Sequence, residues 1–324
     1  MAGRWGIRVN SIMAINYIKD VVRRSRLIMP ANAPKFVEKA WQRNADAVVL
    51  DLEDSVPQAE KATTRELIKS QVQLVGKGGS DVLVRVNHDE RWLQADLDAA
   101  IWPGVAGIVF PKAESADDIM KVERRIAELE NERDVPAGQV KISVLIESCK
   151  GLLRMDEIAG SSERIDSLTL GNEDFLRDAG IQDCADTFQA MLQPRMQLLF
   201  TARAYGKIPM GLIGSLANYN AADAFAKSAE LAYKHGFLGA SCIHPGNVET
   251  LNQAFSPKRE EIEQAQNIIE AFEAAMAQGR ASTTHAGKMI DYVHYEKAKI
   301  LFERDAVIKA FDAKKRKALQ AQGL

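Results

Sequence analysis

Two acidic residues interrupt otherwise apolar stretches of the sequence and are the first candidates for chemistry. Glu147 follows the run Val144-Leu-Ile146, and Asp174 ends the segment Leu168-Thr-Leu-Gly-Asn-Glu-Asp174. Two carboxylates with few other ligands suit Mg²⁺, or Mn²⁺ in its place, because this ion keeps several waters and binds substrate oxygens. The five histidines do not cluster, so a zinc site is not expected. The alternative is that Glu147 pairs with a buried Arg or Lys and only holds the fold.

An arginine lies in the middle of another apolar stretch. Arg85 is part of Val82-Leu-Val-Arg-Val-Asn87, where an unused charge is expensive to bury. One interpretation is an anion clamp for a carboxylate or an enolate. The other is a structural ion pair with Asp51 or Glu53, and the sequence leaves both open.

A lysine at the end of an apolar stretch raises a different mechanism. Lys112, in Phe110-Pro-Lys-Ala-Glu114, has the position of a lysine that forms a Schiff base in metal-independent aldolases. The alternative is that Lys112 pairs with Asp54 or Glu114.

These residues need a scaffold that brings them together. Eight short stretches are rich in β-branched residues and end in polar or glycine-containing turns: 26–30, 47–54, 81–87, 107–112, 142–148, 165–171, 208–214 and 239–244. Their continuous apolar character is typical of strands that are buried on both faces. With helical stretches between them and a repeat of about 30 residues, they predict a (β/α)₈ TIM barrel, whose catalytic groups lie at the carboxyl ends of the strands.

An open doubly wound sheet is the structural alternative, but it requires a glycine-rich loop after the first strand, which is absent. We expect an N-terminal leader over residues 1–22, the barrel over 23–256, and a C-terminal helical extension with a lid over 257–324. Within the extension, Pro257–Gln278 and Lys288–Lys315 are predicted helices. The small residues of Gly279–Gly287 predict a hinge between them.

Composition excludes several classes of function. Of the 324 residues, 42 are Lys or Arg and 44 are Asp or Glu, so no global field favours nucleic acid or an acidic membrane surface. No apolar run reaches the roughly 18 residues that a transmembrane helix needs. The three cysteines are widely spaced, which predicts neither a disulfide framework nor a zinc site and fits a cytoplasmic protein.

At these positions the sequence resembles the citrate lyase β-subunit-like family, which includes malyl-CoA, β-methylmalyl-CoA and citramalyl-CoA lyases. Seven segments occur in the family's order: Arg24–Pro30, Ala45–Val56, Val84–Asn87, Pro111–Glu114, Leu145–Ser148, Gly171–Asp174 and Cys242–Pro245. Two departures concern the substrate. Ala31-Asn32 follow Pro30 where the family has Pro-Gly, and Gly214–Asn218 lacks the family's aspartate.

The resemblance implies a role for each candidate residue. Glu147 and Asp174 are expected to hold Mg²⁺ and, through it, the substrate. Arg85 is expected to contact the acyl or 2-oxo acid portion, and Arg24 the CoA. Asp291, in a segment similar to the family's lid motif, is expected to act as acid/base from a neighbouring subunit of a homotrimer or a multiple of one.

The implied reaction is cleavage of a 3-hydroxyacyl-CoA, such as malyl-, methylmalyl- or citramalyl-CoA, to acetyl- or propionyl-CoA and a 2-oxo acid. The enolate that cleavage leaves needs a fixed cation, which we assign to Arg85. The alternatives are a CoA-independent class II pyruvate-type aldolase and a non-catalytic acyl-CoA-binding subunit. A citrate lyase subunit that acts on a carrier-protein thioester also remains open, although the lid motif favours free CoA substrates.

Overall fold

A computed structural model describes residues 21–182, 184, 188–214 and 222–323. Nearly all of the expected leader over residues 1–22 therefore lies outside the described residues. The same holds for most of the Gly214–Asn218 loop.

Eight parallel strands form the centre of the molecule. They are β1 (Ser25–Pro30), β2 (Ala47–Asp51), β3 (Asp81–Arg85), β4 (Val105–Phe110), β5 (Lys141–Ile146), β6 (Ile165–Leu170), β7 (Ile208–Met210) and β8 (Ala240–Cys242). Each strand pairs with the next from β1 to β7, and β8 pairs with β1. A parallel bridge between Met210 and Gly239 connects β7 to the residue before β8. The strands therefore close into the predicted (β/α)₈ barrel.

Helices follow the strands on the outside. They are α1 (Pro34–Val37), α2 (Lys61–Gly76), α3 (Glu90–Ala100), α4 (Ala116–Glu132), α5 (Cys149–Leu153), α6 (Met155–Gly160), α7 (Asn172–Ala179), α8 (Phe188–Ala204), α9 (Ala222–His235), α10 (Val248–Ala254), α11 (Arg259–Ala277) and α12 (Tyr292–Gln320). Short 3₁₀ turns cover Ala40–Gln42, Gln58–Glu60 and Pro245–Asn247. Among the described helices, none is both long and apolar enough to cross a membrane.

Local sequence explains where helix α4 begins and which of its faces is buried. The Ser115 hydroxyl accepts a hydrogen bond from the Asp118 N–H and so caps α4. Helix α4 then buries Ile119, Val122 and Ile126 against the barrel, at the spacing of one helical face.

The interior of the barrel has an apolar and a polar side. The apolar side is filled by Ile28, Ala47, Val49, Leu83, Val109 and Leu145. On the polar side, the guanidinium of Arg26 donates hydrogen bonds to the hydroxyls of Ser143, Thr169 and Ser241. Arg26 is 1% exposed, and burial lowers its pKa to about 10.

The C-terminal extension is pinned to the amino-terminal end of the barrel. The Lys315 ammonium on α12 is buried and lies 2.8 Å from Asp46 Oδ1, just before β2. Asp312 on the same helix pairs with Arg24, just before β1, at 2.6 Å. These contacts fix the second half of α12 across the bottom of the barrel.

Part of the segment predicted as a hinge forms a β-hairpin. Strands β9 (Thr283–His285) and β10 (Lys288–Ile290) pair antiparallel around Ala286 and Gly287, whose φ angles are 48° and 73°. Two consecutive left-handed residues make the tight turn that matches strand twist, which small-residue composition alone does not distinguish from a flexible linker. Ile290 packs with Phe272 of α11 and Tyr295 of α12, so the hairpin belongs to a small separate core.

Candidate active site

A cleft of about 340 Å³ opens at the carboxyl ends of the strands. The loops after β3, β4, β5 and β6 form its walls, as a barrel active site requires. Its lining residues include Lys112, Lys121, Glu147, Asp174 and Arg177. The cleft therefore contains both predicted metal ligands.

Glu147 directly follows β5 and is buried at the base of this cleft. Its Oε2 accepts a hydrogen bond from the Lys112 N–H at 3.1 Å, the only one it receives from the described residues. A Cβ on Gly171 would lie 2.2 Å from Glu147 Oε1, so only glycine leaves room for the carboxylate there. Burial, then the negative charge of Glu53, raises the pKa of Glu147 to about 7, and Asp174 adds to this.

Asp174 lies in the first turn of α7, where the helix dipole favours a negative charge. Its carboxylate pairs with Arg177 one turn later at 2.5 Å. Together the two acids fit a hard divalent cation, because they bring negative charge to one cleft and no cation of the described residues forms an ion pair with Glu147. Within the described part of the chain, no cluster of three or more His, Cys, Asp or Glu side chains is placed to hold a metal. A metal here would take its other ligands from water and substrate.

Arg85, at the end of β3, makes the ion pair that the sequence left as its alternative interpretation. Its Nε and Nη2 donate to the two oxygens of Asp51 at 2.6 and 2.7 Å. Its Nη1 lies 3.0 Å from Glu53 Oε2 and 3.6 Å from Asp54. Burial opposes the charge, but the hydrogen bonds to Asp51 raise the pKa of Arg85 above its ordinary value. The guanidinium is thus fixed by three acids immediately after β2.

Lys112 follows β4 in the left-handed conformation, with φ of 53°. Its Nζ lies 2.5 Å from Glu53 Oε1 and 3.5 Å from Asp54, whereas Glu114 pairs with Lys150. Burial opposes the charge of Lys112, but Glu53 outweighs it and raises the pKa of the ammonium. A Schiff base requires a free amine, so this arrangement disfavours the metal-independent aldolase mechanism.

The sequence interpretation considered Glu53 only as a partner of Arg85. In the structure Glu53 is buried between Arg85 and Lys112, and burial raises the pKa of its carboxyl. The available signal was its position two residues after Asp51, which places both side chains on the same side of the chain as it leaves β2.

The structure does not support the predicted contact between Arg24 and CoA. Arg24 precedes β1, at the barrel end opposite to the cleft, and is 3% exposed. Its guanidinium donates to Asp46, Asp312 and Ser256. A side chain buried and saturated in this way has a structural role.

Asp291 lies away from this cleft, at the start of α12. Its carboxylate caps the helix by accepting from the N–H groups of Val293 and His294, and it lies 2.6 Å from His294 Nδ1. The contact with His294 lowers the pKa of Asp291. Asp291 is half exposed and is not among the residues that line the cleft of its own chain.

Comparisons with known proteins agree with this fold. The family model described as HpcH/HpaI aldolase/citrate lyase matches residues 24–245. The citrate lyase subunit beta of Leuconostoc mesenteroides is 33% identical over 271 residues, which are 83% of this chain and 89% of that protein. The L-malyl-CoA/beta-methylmalyl-CoA lyase of Cereibacter sphaeroides is 26% identical over 89% of this chain and 96% of its own length.

Among solved structures, the CitE protein of Mycobacterium tuberculosis, in complex with magnesium, acetoacetate and coenzyme A, has a similar fold. Its TM-score is 0.68 with 24% identity, over 89% of this chain and 99% of that one.

Proposed function

This chain belongs to the HpcH/HpaI aldolase/citrate lyase family, and from that membership we propose that it is a Mg²⁺-dependent lyase of 3-hydroxyacyl-CoA thioesters. Cleavage yields an acyl-CoA, such as acetyl- or propionyl-CoA, and a 2-oxo acid, and the reverse reaction condenses them. The observation that carries this proposal is the buried Glu147, whose pKa is raised by burial and by neighbouring acids, beside Asp174 in the cleft.

Glu147 and Asp174 are the residues that we assign to the metal. When bound, Mg²⁺ supplies a Lewis acid for the hydroxyl and carboxylate oxygens of the substrate. The N–H of Lys112 and the backbone at Gly171 hold the Glu147 carboxylate in one orientation. Partners of this kind are what keep a metal ligand in its binding geometry.

Arg85 is proposed to place positive charge beside the acyl portion of the substrate. Asp51 uses two of the five guanidinium N–H bonds and Glu53 lies 3.0 Å from Nη1, which leaves one donor on Nη1 and one on Nη2 for a substrate oxygen. Asp291 of a neighbouring subunit is proposed to hold and move the proton at the α-carbon of the acyl thioester. This assignment requires a trimer or a multiple of one, in which residues 257–324 form the lid.

A citryl thioester is the second candidate substrate. The observation that favours it is the 33% identity to a citrate lyase subunit beta over most of both chains. A citryl thioester contains the same type of carbon–carbon bond, and its cleavage would release oxaloacetate as the 2-oxo acid. We propose a cytoplasmic location for either reaction, since the three cysteines of the sequence are widely spaced, as is typical of a protein in a reducing compartment.

The test is a screen of malyl-, methylmalyl-, citramalyl- and citryl-CoA with the purified protein, with products identified by mass. We expect cleavage of at least one thioester with Mg²⁺ or Mn²⁺ and none in excess EDTA. The Glu147→Gln protein serves as the inactive control, because it keeps the side-chain volume without the charge. Cleavage that persists in EDTA contradicts the metal-dependent mechanism, and a CoA-free aldol reaction favours the class II aldolase.

A further inference from the structure

We infer that Lys112 is a second catalytic cation, whose ammonium contacts the thioester carbonyl oxygen and stabilises the enolate. This inference rests on the proposed function. When the C2–C3 bond of the hydroxyacyl group breaks, the C3 hydroxyl releases its proton to solvent and becomes the carbonyl of the 2-oxo acid. The electron pair of the broken bond moves into the thioester and places negative charge on its carbonyl oxygen. Lys112 keeps its proton throughout, so no bond to its nitrogen forms or breaks.

The position of Lys112 is the first argument. Among the described residues, the wall of the cleft includes Lys112 but not Arg85. Lys112 is also the more accessible cation, with 24% of its side chain exposed against 13% for Arg85. A substrate that lies beside Glu147 and Asp174 therefore meets the ammonium group of Lys112 on the same wall.

The backbone of Lys112 is the second argument. Left-handed φ angles are costly for residues other than glycine and persist only where the surroundings determine them. Here the Lys112 N–H binds Glu147, and the next N–H, of Ala113, returns to the strand ladder by donating to the Leu145 carbonyl at 3.2 Å. The left-handed turn thus ties the main chain to Glu147 while the side chain reaches across to Glu53.

The hydrogen bonds of the ammonium are the third argument. An ammonium group has three N–H donors. Glu53 accepts one at 2.5 Å and Asp54 receives a long contact at 3.5 Å. At least one donor remains for the cleft, and the two acids hold it in place without neutralising it fully, because Glu53 also serves Arg85.

The experiment compares Lys112→Met and Lys112→Arg with wild type, and uses Lys121→Met as the matched control. Lys121 lies on the rim of the same cleft, and the acid it pairs with among the described residues is the exposed Glu90. We expect Lys112→Met to lower kcat about a hundredfold, as loss of one transition-state donor does, with Mn²⁺ affinity kept within about threefold. Lys112→Arg should recover part of kcat, and Lys121→Met should leave it unchanged. A kcat of Lys112→Met within threefold of wild type, or an equal loss of Mn²⁺ affinity, overturns the inference.

A second readout does not depend on turnover. Acetoacetyl-CoA forms an enolate that absorbs in the ultraviolet, so the apparent pKa of the bound ligand is measured directly. We expect the wild type to lower this pKa and Lys112→Met to lower it by at least one unit less. Equal shifts in both proteins overturn the role of Lys112, whatever the lyase screen shows. Enolate stabilisation without any thioester cleavage instead contradicts only the proposed function.

Discussion

The Glu147 carboxyl group can bind either a proton or the proposed metal ion. Its ordinary pKa near 4.5 is raised to about 7 by burial and by Glu53 and Asp174. At neutral pH the metal-free site therefore exists partly in the protonated form. A proton and a divalent cation then compete for the same oxygens.

We predict from this competition that Mn²⁺ binds about tenfold more weakly at pH 6 than at pH 8, because one proton must leave a group with a pKa near 7. The free ion is measured by electron paramagnetic resonance over that range. In Glu90→Gln, which removes an exposed acid at the rim, the slope should be unchanged. Affinity that does not vary with pH contradicts the assignment of Glu147 as a ligand.

We predict that Arg85→Lys loses about a hundredfold in kcat. Lysine keeps the charge but loses the planar fork that binds both oxygens of Asp51 and leaves donors for the proposed substrate contact, and one such donor is worth roughly that factor. The matched control is Arg65→Lys, which alters a similar Arg–Asp pair, with Asp96 at 2.6 Å, outside the cleft. Activity of Arg85→Lys within threefold of wild type leaves Arg85 with a structural role only.

Which residues the sequence predicted, and which it did not, follows from geometry. Glu147, Asp174 and Arg85 were predicted because a charge at or shortly after the end of a buried strand stands out against its apolar neighbours. The burial of Arg24 was not predicted, because one of its partners, Asp312, lies 288 residues away in the sequence. Lys112 was recognised as a strand-end cation. Its pairing with Glu53 was not predicted, because the left-handed backbone at Lys112 has no signature in the sequence.

At the scale of elements, the turn from β6 to α7 is shaped around the Glu147 carboxylate. We predict that Gly171→Ala weakens Mn²⁺ binding at least tenfold, since the new methyl group would lie 2.2 Å from Glu147 Oε1 and displace it. Gly76→Ala is the control, because its added Cβ meets only Val82 at 3.8 Å. Unchanged metal affinity with an unchanged melting temperature would show that Glu147 is not held from this side.

The docking of α12 on the barrel relies on a buried acid. We predict that Asp46→Asn lowers the free energy of unfolding by about 3 kcal/mol, because it leaves Arg24 and Lys315 buried with one charged partner fewer. Denaturant titration measures this change. Lys309→Ala, which removes an exposed pair with Asp305, should cost under about 0.5 kcal/mol. Equal losses in the two proteins would mean that the buried cluster contributes no more than a surface pair.

Element boundaries show the same balance between what the sequence predicts and what it does not. All eight strands lie inside the predicted stretches or within two residues of them, because βα repetition fixes their spacing. The β9–β10 hairpin was not predicted, since its strands have only three residues each and are held by the packing of Ile290 on Phe272 and Tyr295.

At the scale of the whole molecule, the lid proposal connects catalysis to assembly. We predict that Asp291→Asn binds CoA esters normally but no longer exchanges the α-protons of acetyl-CoA with solvent. Mixed with an inactive Arg85 variant, it should regain activity after subunit exchange, since one interface then combines two intact halves. Light scattering should give a trimer or a multiple of one. Failure to complement, despite proven exchange, places the whole site within one chain.

The length of helix α12 makes the position of its first turn sensitive to how its other end is docked. From Lys315, clamped beneath the barrel, to Asp291, which caps the start of the helix, a rise of 1.5 Å per residue spans about 36 Å. At that length, a tilt of about 5° at the clamp moves the tip by about 3 Å, a hydrogen-bond length. The helix is therefore a lever whose fulcrum is the Arg24–Asp46–Lys315 cluster. In the proposed lid, the position of Asp291 is therefore set by contacts at the barrel end opposite to the cleft. A small change in the docking of α12 there produces a larger displacement of the Asp291 carboxylate.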